Sequence, residues 1–176
     1  TCAGRGVVAG EDLRQMRDEF DRLSAGRPDI TTEYDQGVVP TEVAMARVAT
    51  LEQRGDLSDK EILILGDDDL MSLAFRLSGL PRRIVVLEID RRITAFLRQV
   101  VAQQGWRNVE VIDYDVRQSL PAGLRGRCDV FFTDPVETVG GIALFLSRCG
   151  EALRGDGCVG YFGLTHIESG WAKWLE

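Results

Sequence analysis

The stretch Ile62-Leu63-Ile64-Leu65-Gly66-Asp67-Asp68-Asp69-Leu70 decides the fold, because an apolar run stops at a glycine and three consecutive carboxylates follow it. Such a run is typical of a buried first strand that turns directly into its helix. In nucleotide-binding folds this turn is rich in glycine, because backbone N–H groups and a helix N-terminus approach phosphate there. Three carboxylates repel phosphate at close range. The sequence therefore predicts that a neutral or cationic ligand group lies at this turn.

Apolar runs alternate with amphipathic helical patterns along the rest of the chain, which predicts parallel strands joined by crossover helices. The predicted strands are 62–66, 83–88, 109–112, 128–133 and 158–162. Asp69 and Asp90 follow the first two strands and are placed to cap the next helices. We predict an α/β fold with most of a doubly wound sheet. Residues 1–40 form a helical and linker segment in this interpretation, and residues 41–176 form the core.

Length and composition are those of a single globular domain of 176 residues with 44% hydrophobic content. The net charge of −7 disfavours a nucleic-acid partner and tolerates a cationic one. No apolar run is long enough to span a membrane, and no signal peptide is evident. The four cysteines contain no CxxC pair, which predicts reduced thiols and a cytoplasmic location. His166 is the only histidine, so no metal site is predicted.

Acids follow the end of every predicted strand up to the fourth. They are Asp67, Asp68 and Asp69, then Glu88 and Asp90, then Asp113 and Asp115, then Asp134 and Glu137. Parallel strands end at one edge of a sheet, so these carboxylates are expected to converge on one crevice. Their convergence is costly unless a ligand with hydroxyls, amines or positive charge satisfies them.

Several of these acids could either bind a ligand or serve a local structural role, such as capping a helix or forming a turn. Glu88 lies at the tip of the second strand, where an acid can accept hydrogen bonds from ribose hydroxyls. Asp90 is either a ligand residue or a helix cap, and Asp115 either holds an adenine amino group or forms a turn. Asp134-Pro135 either fixes a bend that holds a carboxylate for an attacking amine or simply ends the strand, for which the proline alone is sufficient.

Six segments together resemble the branched-chain polyamine synthases, the N4-bis(aminopropyl)spermidine synthases. They are DQGVVPTE (35–42), RGDLSDKEILILGDDDL (54–70), SGLPRRIVVLEID (78–90), YDVRQSLP (114–121), FFTDPVET (131–138) and GCVGYFGLT (157–165). The similarity runs from about residue 28 to residue 174. It implies a Rossmann-like, doubly wound and mainly parallel sheet of the S-adenosylmethionine-methyltransferase type. It also implies transfer of aminopropyl groups from decarboxylated S-adenosylmethionine to the secondary amine of spermidine, leaving methylthioadenosine.

The resemblance assigns roles to ten residues. Donor-binding residues are Gly66, Asp67, Glu88, Asp90, Asp115 and Pro135, and those acting on the amine are Asp68, Asp69, Asp134 and Glu137. We favour Asp68 over Asp69 as the proton acceptor. Charge agrees with this assignment, because the donor has a sulfonium and an ammonium without a carboxylate, and spermidine is a trication. The expected partner is spermidine or a related polyamine, with no metal, nucleic acid or membrane, and a homodimer is left open.

The chain departs from the family pattern at several places. Val136 stands where the family has a second proline, and Glu88 stands where it usually has aspartate. The chain begins at Thr1 and ends at Glu176, so we expect truncation at both ends, with N-terminal helices retained and the last strands missing. Two alternatives stay open: an S-adenosylmethionine-dependent N-methyltransferase acting on an amine or nucleic acid, and a non-catalytic fragment that binds nucleoside or polyamine.

Overall fold

A computed structural model of the 176-residue chain describes residues 12–164. Its strands are β1 (Glu61–Leu65), β2 (Arg83–Glu88), β3 (Val109–Asp113), β4 (Val130–Thr133) and β5 (Val159–Phe162). They form one parallel sheet in the order β3-β2-β1-β4-β5. The predicted α/β class and parallel sheet are confirmed, with strand boundaries within two residues of the predicted ones. The chain runs outward from β1 to β3 and then returns to β4, so the strand order reverses between β1 and β4.

Helices cover both faces of the sheet. They are α1 (Asp12–Ser24), α2 (Thr41–Gln53), α3 (Met71–Leu77), α4 (Arg91–Gln103) and α5 (Val139–Ala152). Side chains alternate along β1, so Ile62 and Ile64 join the core formed with α1 to α4, whereas Leu63 and Leu65 join the core formed with α5. All four are buried, and each contributes about 1.5–3 kcal/mol. Burial on both faces explains why β1 is a continuous apolar run.

The two predicted helix caps have different outcomes. Asp90 caps α4 as predicted, because its Oδ1 accepts the N–H of Arg92 at 2.9 Å. The prediction that Asp69 caps α3 is wrong. Leu70 occupies the cap position in a left-handed conformation, with φ 55°, and the Oδ1 of Asp67 accepts the N–H of Ser72 at 3.1 Å instead. The cap position therefore lies one residue later than predicted, and the Asp69 carboxylate bonds to Val39 N–H and Arg47 instead.

A segment between α1 and α2, residues 31–39 and named the strap here, crosses the carboxyl end of the sheet. The N–H of Gly37 donates to Asp68 Oδ2 at 2.8 Å, and the N–H of Val39 donates to Asp69 Oδ1 at 2.8 Å. Two acids of the β1–α3 loop therefore hold the strap against the strand ends.

The remaining sequence predictions fall partly outside the described residues, where Cys2 and His166 lie. Within them, Cys128 and Cys149 are buried free thiols, as predicted, whereas the free thiol of Cys158 is only partly buried. None of the helices between residues 12 and 164 has the length and hydropathy needed to cross a membrane. Helix α1, assigned from sequence to the linker segment, packs its apolar face into the same core as β1.

Candidate active site

The carboxylates that follow β1 and β4 meet at the crevice where the strand order reverses. This is the place where doubly wound sheets bind their ligands. One cavity there, the acidic cavity, has a volume of about 550 Å3. Its charged lining residues are Asp35, Arg47, Asp68, Asp69, Asp134 and Glu137. Five acids therefore face one base among the described lining residues, and such a cavity favours a cationic ligand.

Arg47, from α2, contacts two of these acids. Its Nη1 lies 2.9 Å from Asp69 Oδ2 and 2.9 Å from Asp134 Oδ2. Arg47, Asp134 and Gly163 also line a neighbouring, mostly apolar cavity of about 590 Å3 between α2 and β5. The guanidinium consequently stands at the junction of the acidic and apolar cavities.

Asp134 is the acid with the most unusual environment. Burial raises the pKa of Asp134 to about 6, and the Asp69 carboxylate acts in the same direction, while Arg47 opposes the rise. Its Oδ1 is buried and has no hydrogen-bond partner among the described residues. A Cβ atom placed on Gly163 would lie 1.8 Å from this oxygen. Only glycine at position 163 therefore leaves room for the Asp134 carboxylate as it stands.

Asp68 and Asp69 lie on the wall formed with the strap. Burial raises the pKa of Asp68, and the N–H of Gly37 partly opposes that rise. Asp69 is engaged through both oxygens, by the N–H of Val39 and by Arg47. Asp68 has one oxygen bonded to the strap, which leaves it the better placed of the two to meet a ligand.

A third cavity, the strand-tip cavity, lies at the ends of β1, β2 and β3 and has a volume of about 410 Å3. Residues that line it include Tyr34, Asp35, Gly66, Glu88, Asp115 and Phe145. The volume falls in the usual range for small-molecule sites, and the lining combines aromatic rings with a few acids. Asp35 lines both the acidic cavity and the strand-tip cavity, so these two cavities adjoin each other beneath the strap.

Gly66 begins the loop at the strand-tip cavity. Its φ of 76° is a left-handed conformation that glycine adopts without strain, and its N–H donates to Leu87 O at 2.8 Å. Asp115, on the other side of the cavity, pairs with Arg117, and this hydrogen bond lowers the pKa of Asp115. Asp115 is therefore an ionised acceptor at the cavity wall.

Glu88 and Asp67 are buried carboxylates behind the loop. Glu88 accepts the N–H of Asp67 at 2.7 Å through one oxygen and that of Asp90 at 2.8 Å through the other. Burial raises the pKa of Glu88 and raises that of Asp67 well above its usual range. Glu88 lines the strand-tip cavity, whereas Asp67 lies beneath both cavities and lines neither.

Asp90 and Pro135 also lie away from the positions expected of donor-binding residues. Asp90 caps α4, accepts from Gln36 Nε2 at 2.9 Å and pairs with Arg92. The Arg92 hydrogen bond lowers the pKa of Asp90 to about 2. Asp90 lines a separate surface cavity with Arg92, and Pro135 lines the acidic cavity. The structure thus brings eight of the ten expected residues to the acidic and strand-tip cavities, and Asp67 and Asp90 line neither.

Three features of the site were missed by the sequence reasoning: Arg47, the strap and Gly163. Arg47 interrupts the buried positions of α2, between Met45 and Val48, and this interruption was the available signal. No local signal reveals the close approach of Gly163 to Asp134. Within residues 12–164, no cluster of three or more His, Cys, Asp or Glu side chains is arranged to hold a metal ion.

Comparison with known proteins gives concordant matches. Residues 15–176 match the family model described as the branched-chain polyamine synthase A C-terminal domain. An N(4)-bis(aminopropyl)spermidine synthase of Thermococcus kodakarensis is 43% identical over 99% of this chain and 50% of its own length. The branched-chain polyamine synthase of Thermus thermophilus, solved in complex with N4-aminopropylspermidine and 5'-methylthioadenosine, matches with a TM-score of 0.91 and 43% identity, over 99% of this chain and 50% of its own.

A more distant structure agrees in fold alone. A Pyrococcus horikoshii protein assigned provisionally to the RNA methyltransferases matches with a TM-score of 0.72 at 15% identity, over 96% of this chain and 79% of its own. The methyltransferase-type sheet expected from sequence is thereby confirmed. The chain spans about half the length of the curated relatives it matches.

Proposed function

The chain belongs to the branched-chain polyamine synthase family, and we propose that it transfers the aminopropyl group of decarboxylated S-adenosylmethionine to the secondary amine of spermidine. The observation that carries the proposal is the acidic cavity adjoining the strand-tip cavity at the sheet's switch point. Because the chain spans half of its relatives, their activity is assigned to it here as a proposal.

Charge supports both proposed ligands. Spermidine brings three positive charges, and the acidic cavity offers five carboxylates against one guanidinium. The donor brings a sulfonium and a primary ammonium, and it lacks the carboxylate that S-adenosylmethionine would bring toward Asp68 and Asp69. Repulsion between the methionine carboxylate and these aspartates at close range would disfavour binding of S-adenosylmethionine.

We propose that the nucleoside part of the donor occupies the strand-tip cavity. Gly66 lets the loop approach it, and Asp115 provides an ionised acceptor. Each Glu88 oxygen already accepts one backbone N–H and has capacity for a ribose hydroxyl as well. In this proposal Asp67 caps α3 beneath the loop and Asp90 anchors the strap through Gln36, so both act on the donor indirectly.

The donor supplies an electrophilic methylene carbon bonded to a sulfonium. The secondary amine of spermidine attacks that carbon, a C–N bond forms, and the C–S bond breaks with its electron pair left on sulfur, releasing methylthioadenosine. The carboxylates must place the amine with its lone pair in line and then take its proton.

We propose that Asp134 accepts this proton. A base is most effective when its pKa lies near the working pH, and the pKa of Asp134, about 6, meets this condition. Asp68, the acceptor favoured from sequence, keeps one oxygen bonded to Gly37 and is assigned with Glu137 to the flanking ammonium groups. Asp69 and Pro135 shape the wall on which Asp134 lies.

Two measurements test the proposal. Calorimetric titration should show tighter binding of decarboxylated S-adenosylmethionine than of S-adenosylmethionine, and a preference for the carboxylated form would instead support an N-methyltransferase. Incubation with the decarboxylated donor and spermidine should yield, by mass spectrometry, product heavier by one or two aminopropyl units. Binding of both ligands without any such product would reduce the chain to a binding fragment. The cytoplasmic location and a homodimer stay predictions.

A further inference from the structure

We propose that Arg47 is a positioning residue that takes the place of an ammonium group between Asp69 and Asp134, so that the amine bound beside this pair is the uncharged form. The inference rests on the proposed polyamine function and adds to it a residue that selects the protonation state of the bound substrate. An amine must be uncharged to attack, and a cavity of acids alone would favour its protonated form.

The contacts of Arg47 fix it in this position. One nitrogen, Nη1, lies 2.9 Å from a carboxylate oxygen of Asp69 and of Asp134, which is the geometry that a substrate ammonium would adopt between them. The guanidinium carbon lies 5.3 Å from the centre of the Phe132 ring, and 23% of the Arg47 side chain is exposed. Packing on an aromatic ring and a double ion pair hold the guanidinium in place.

Asp35 of the strap and Asp68 of the β1–α3 loop line the same cavity, and Arg47 is the one arginine or lysine among its described lining residues. The ammonium groups of a polyamine therefore find their best partners in these two acids, whereas the Asp69–Asp134 pair is already neutralised in part by Arg47. An amine that enters beside this pair meets a fixed positive charge, which lowers its pKa.

Arg47 also sets the proton affinity of the acceptor. Burial and Asp69 raise the pKa of Asp134, and Arg47 is the charge that opposes them. Charged or titratable groups lining the cavities that Asp134 borders are Glu42 and Arg47 of α2, Asp68 and Asp69 of the β1–α3 loop, Asp35 of the strap, Glu137 and Tyr161. All of these groups except Arg47 are acids, so removal of Arg47 should raise the pKa of Asp134.

The inference predicts effects of opposite sign on binding and on transfer. In Arg47→Met, a substrate ammonium can occupy the vacated place, so spermidine should bind more tightly, by up to about fivefold. Transfer at saturating spermidine should fall, because the amine beside Asp134 is then held protonated. The midpoint of the Asp134 carboxyl titration, followed by carbon-detected NMR on the 176-residue chain, should rise by about 1–3 pH units.

Two further variants make the experiment decisive. Arg47→Lys keeps the charge and should keep spermidine affinity and the Asp134 titration near those of the unmodified chain, even if Arg47→Met folds poorly. Arg22→Met removes one positive charge from an exposed ion pair with Glu19 on α1, and it should change neither measurement. Thermal melts confirm that each variant is folded.

The outcomes separate this inference from the proposed function. Weaker or unchanged spermidine binding in folded Arg47→Met, with the Asp134 titration unmoved, overturns the inference and leaves aminopropyl transfer standing. The same holds if Arg47→Lys behaves as Arg47→Met does. Absence of spermidine binding by the unmodified chain overturns the polyamine assignment, and this inference with it.

Discussion

Acidic residues lie at or near both ends of strands β1 and β4, but the basic residues around them differ between the two ends of the sheet. At the amino end, Glu61 and Asp129 are matched by three arginines, Arg82, Arg83 and Arg154. The ion-pair distances there range from 2.6 Å, between Arg83 Nη1 and Glu61 Oε1, to 3.8 Å, between Arg154 Nη2 and Glu61 Oε2. At the carboxyl end, the five acids of the acidic cavity face Arg47 as the one base among the described lining residues.

The difference shows which end of the sheet stabilises the fold and which is prepared for a ligand. Paired charges at the amino end are complete within the protein. At the carboxyl end, burial raises the pKa of Asp68 and of Asp134, so keeping these two carboxylates charged costs free energy that a cationic ligand would offset.

The largest effect is expected for Asp134→Asn. An amide cannot accept the amine proton, so the aminopropyl transfer rate, measured by mass spectrometry, should fall by about 10²–10⁴-fold. Asp129→Asn makes the same chemical change at the amino end, where Asp129 pairs with Arg154 at 2.9 Å. This control should retain the transfer rate and lose stability. A comparable loss of rate in both variants would break the contrast.

Gly163→Ala should have the next largest effect. The added Cβ would lie 1.8 Å from Asp134 Oδ1, so the carboxylate must move. Displacement of a catalytic group by about 1 Å can cost about 10²-fold in rate, and we expect a loss of about 10- to 100-fold. Gly150→Ala, in α5 with no neighbour within 4 Å of its added Cβ, is the matched control and should keep the rate. Equal transfer rates for both variants would show that the Asp134 carboxylate can move away from the added Cβ without loss of activity.

Glu61→Gln should reduce stability without affecting the ligand. Glu61 is buried, and its replacement leaves Arg83 with one fewer buried partner, so the free energy of unfolding in urea should fall by about 2 kcal/mol. Spermidine affinity should be unchanged. Asp68→Asn reverses both outcomes: weaker spermidine binding, and no loss of unfolding free energy, because burial already disfavours the charged carboxylate. If both variants changed the same quantity, the two ends would not be functionally distinct.

The smallest effect concerns the pH dependence of stability. The pKa of Asp134 is raised from 3.8 to about 6 in the folded chain, so the folded state binds more protons between these values than the unfolded state does. Stability from this group is therefore lost as pH rises from about 4 to 6. After allowance for partial exposure, the loss is about 1 kcal/mol.

Denaturation curves at the two ends of this pH range measure that loss as the difference between the unmodified chain and Asp134→Asn, because the other buried carboxyls, Asp67, Asp68 and Glu88, titrate in both. Asp134→Asn should remove it, and Glu61→Gln should preserve it. A pH dependence that is the same with and without Asp134 would assign the loss to another group.

The fold was predictable because its determinants are local. The run at Ile62–Leu65 is apolar on both faces of a central strand. The alternation of apolar runs with amphipathic helical patterns locates the strand ends, and the acids follow those ends. Parallel pairing then places those acids at the same edge of the sheet, independently of the conformation of the loops. The site was therefore predictable as a set of acids at a crevice.

The internal partners of those acids were not predictable, because they are distant in sequence. Arg47 and Asp134 are separated by 87 positions, and the strap reaches Asp68 across 31. The capping rule gave a correct result for Asp90 and a wrong one for Asp69, although both acids follow a strand. In the second case, Leu70 takes a left-handed conformation and Asp67 bonds the helix N-terminus, which frees Asp69 for Arg47.

The strap has a thermodynamic consequence, since Asp35 lines both cavities and the strap is held by Asp68 and Asp69. A ligand that orders this shared wall from one cavity spares the ligand of the other cavity part of the entropy cost of doing so. Linkage then requires that donor and amine raise each other's affinity by the same factor. The same reciprocity holds for the two proposed products with a factor of their own, so departure of methylthioadenosine would weaken binding of the branched amine and the two would tend to leave together.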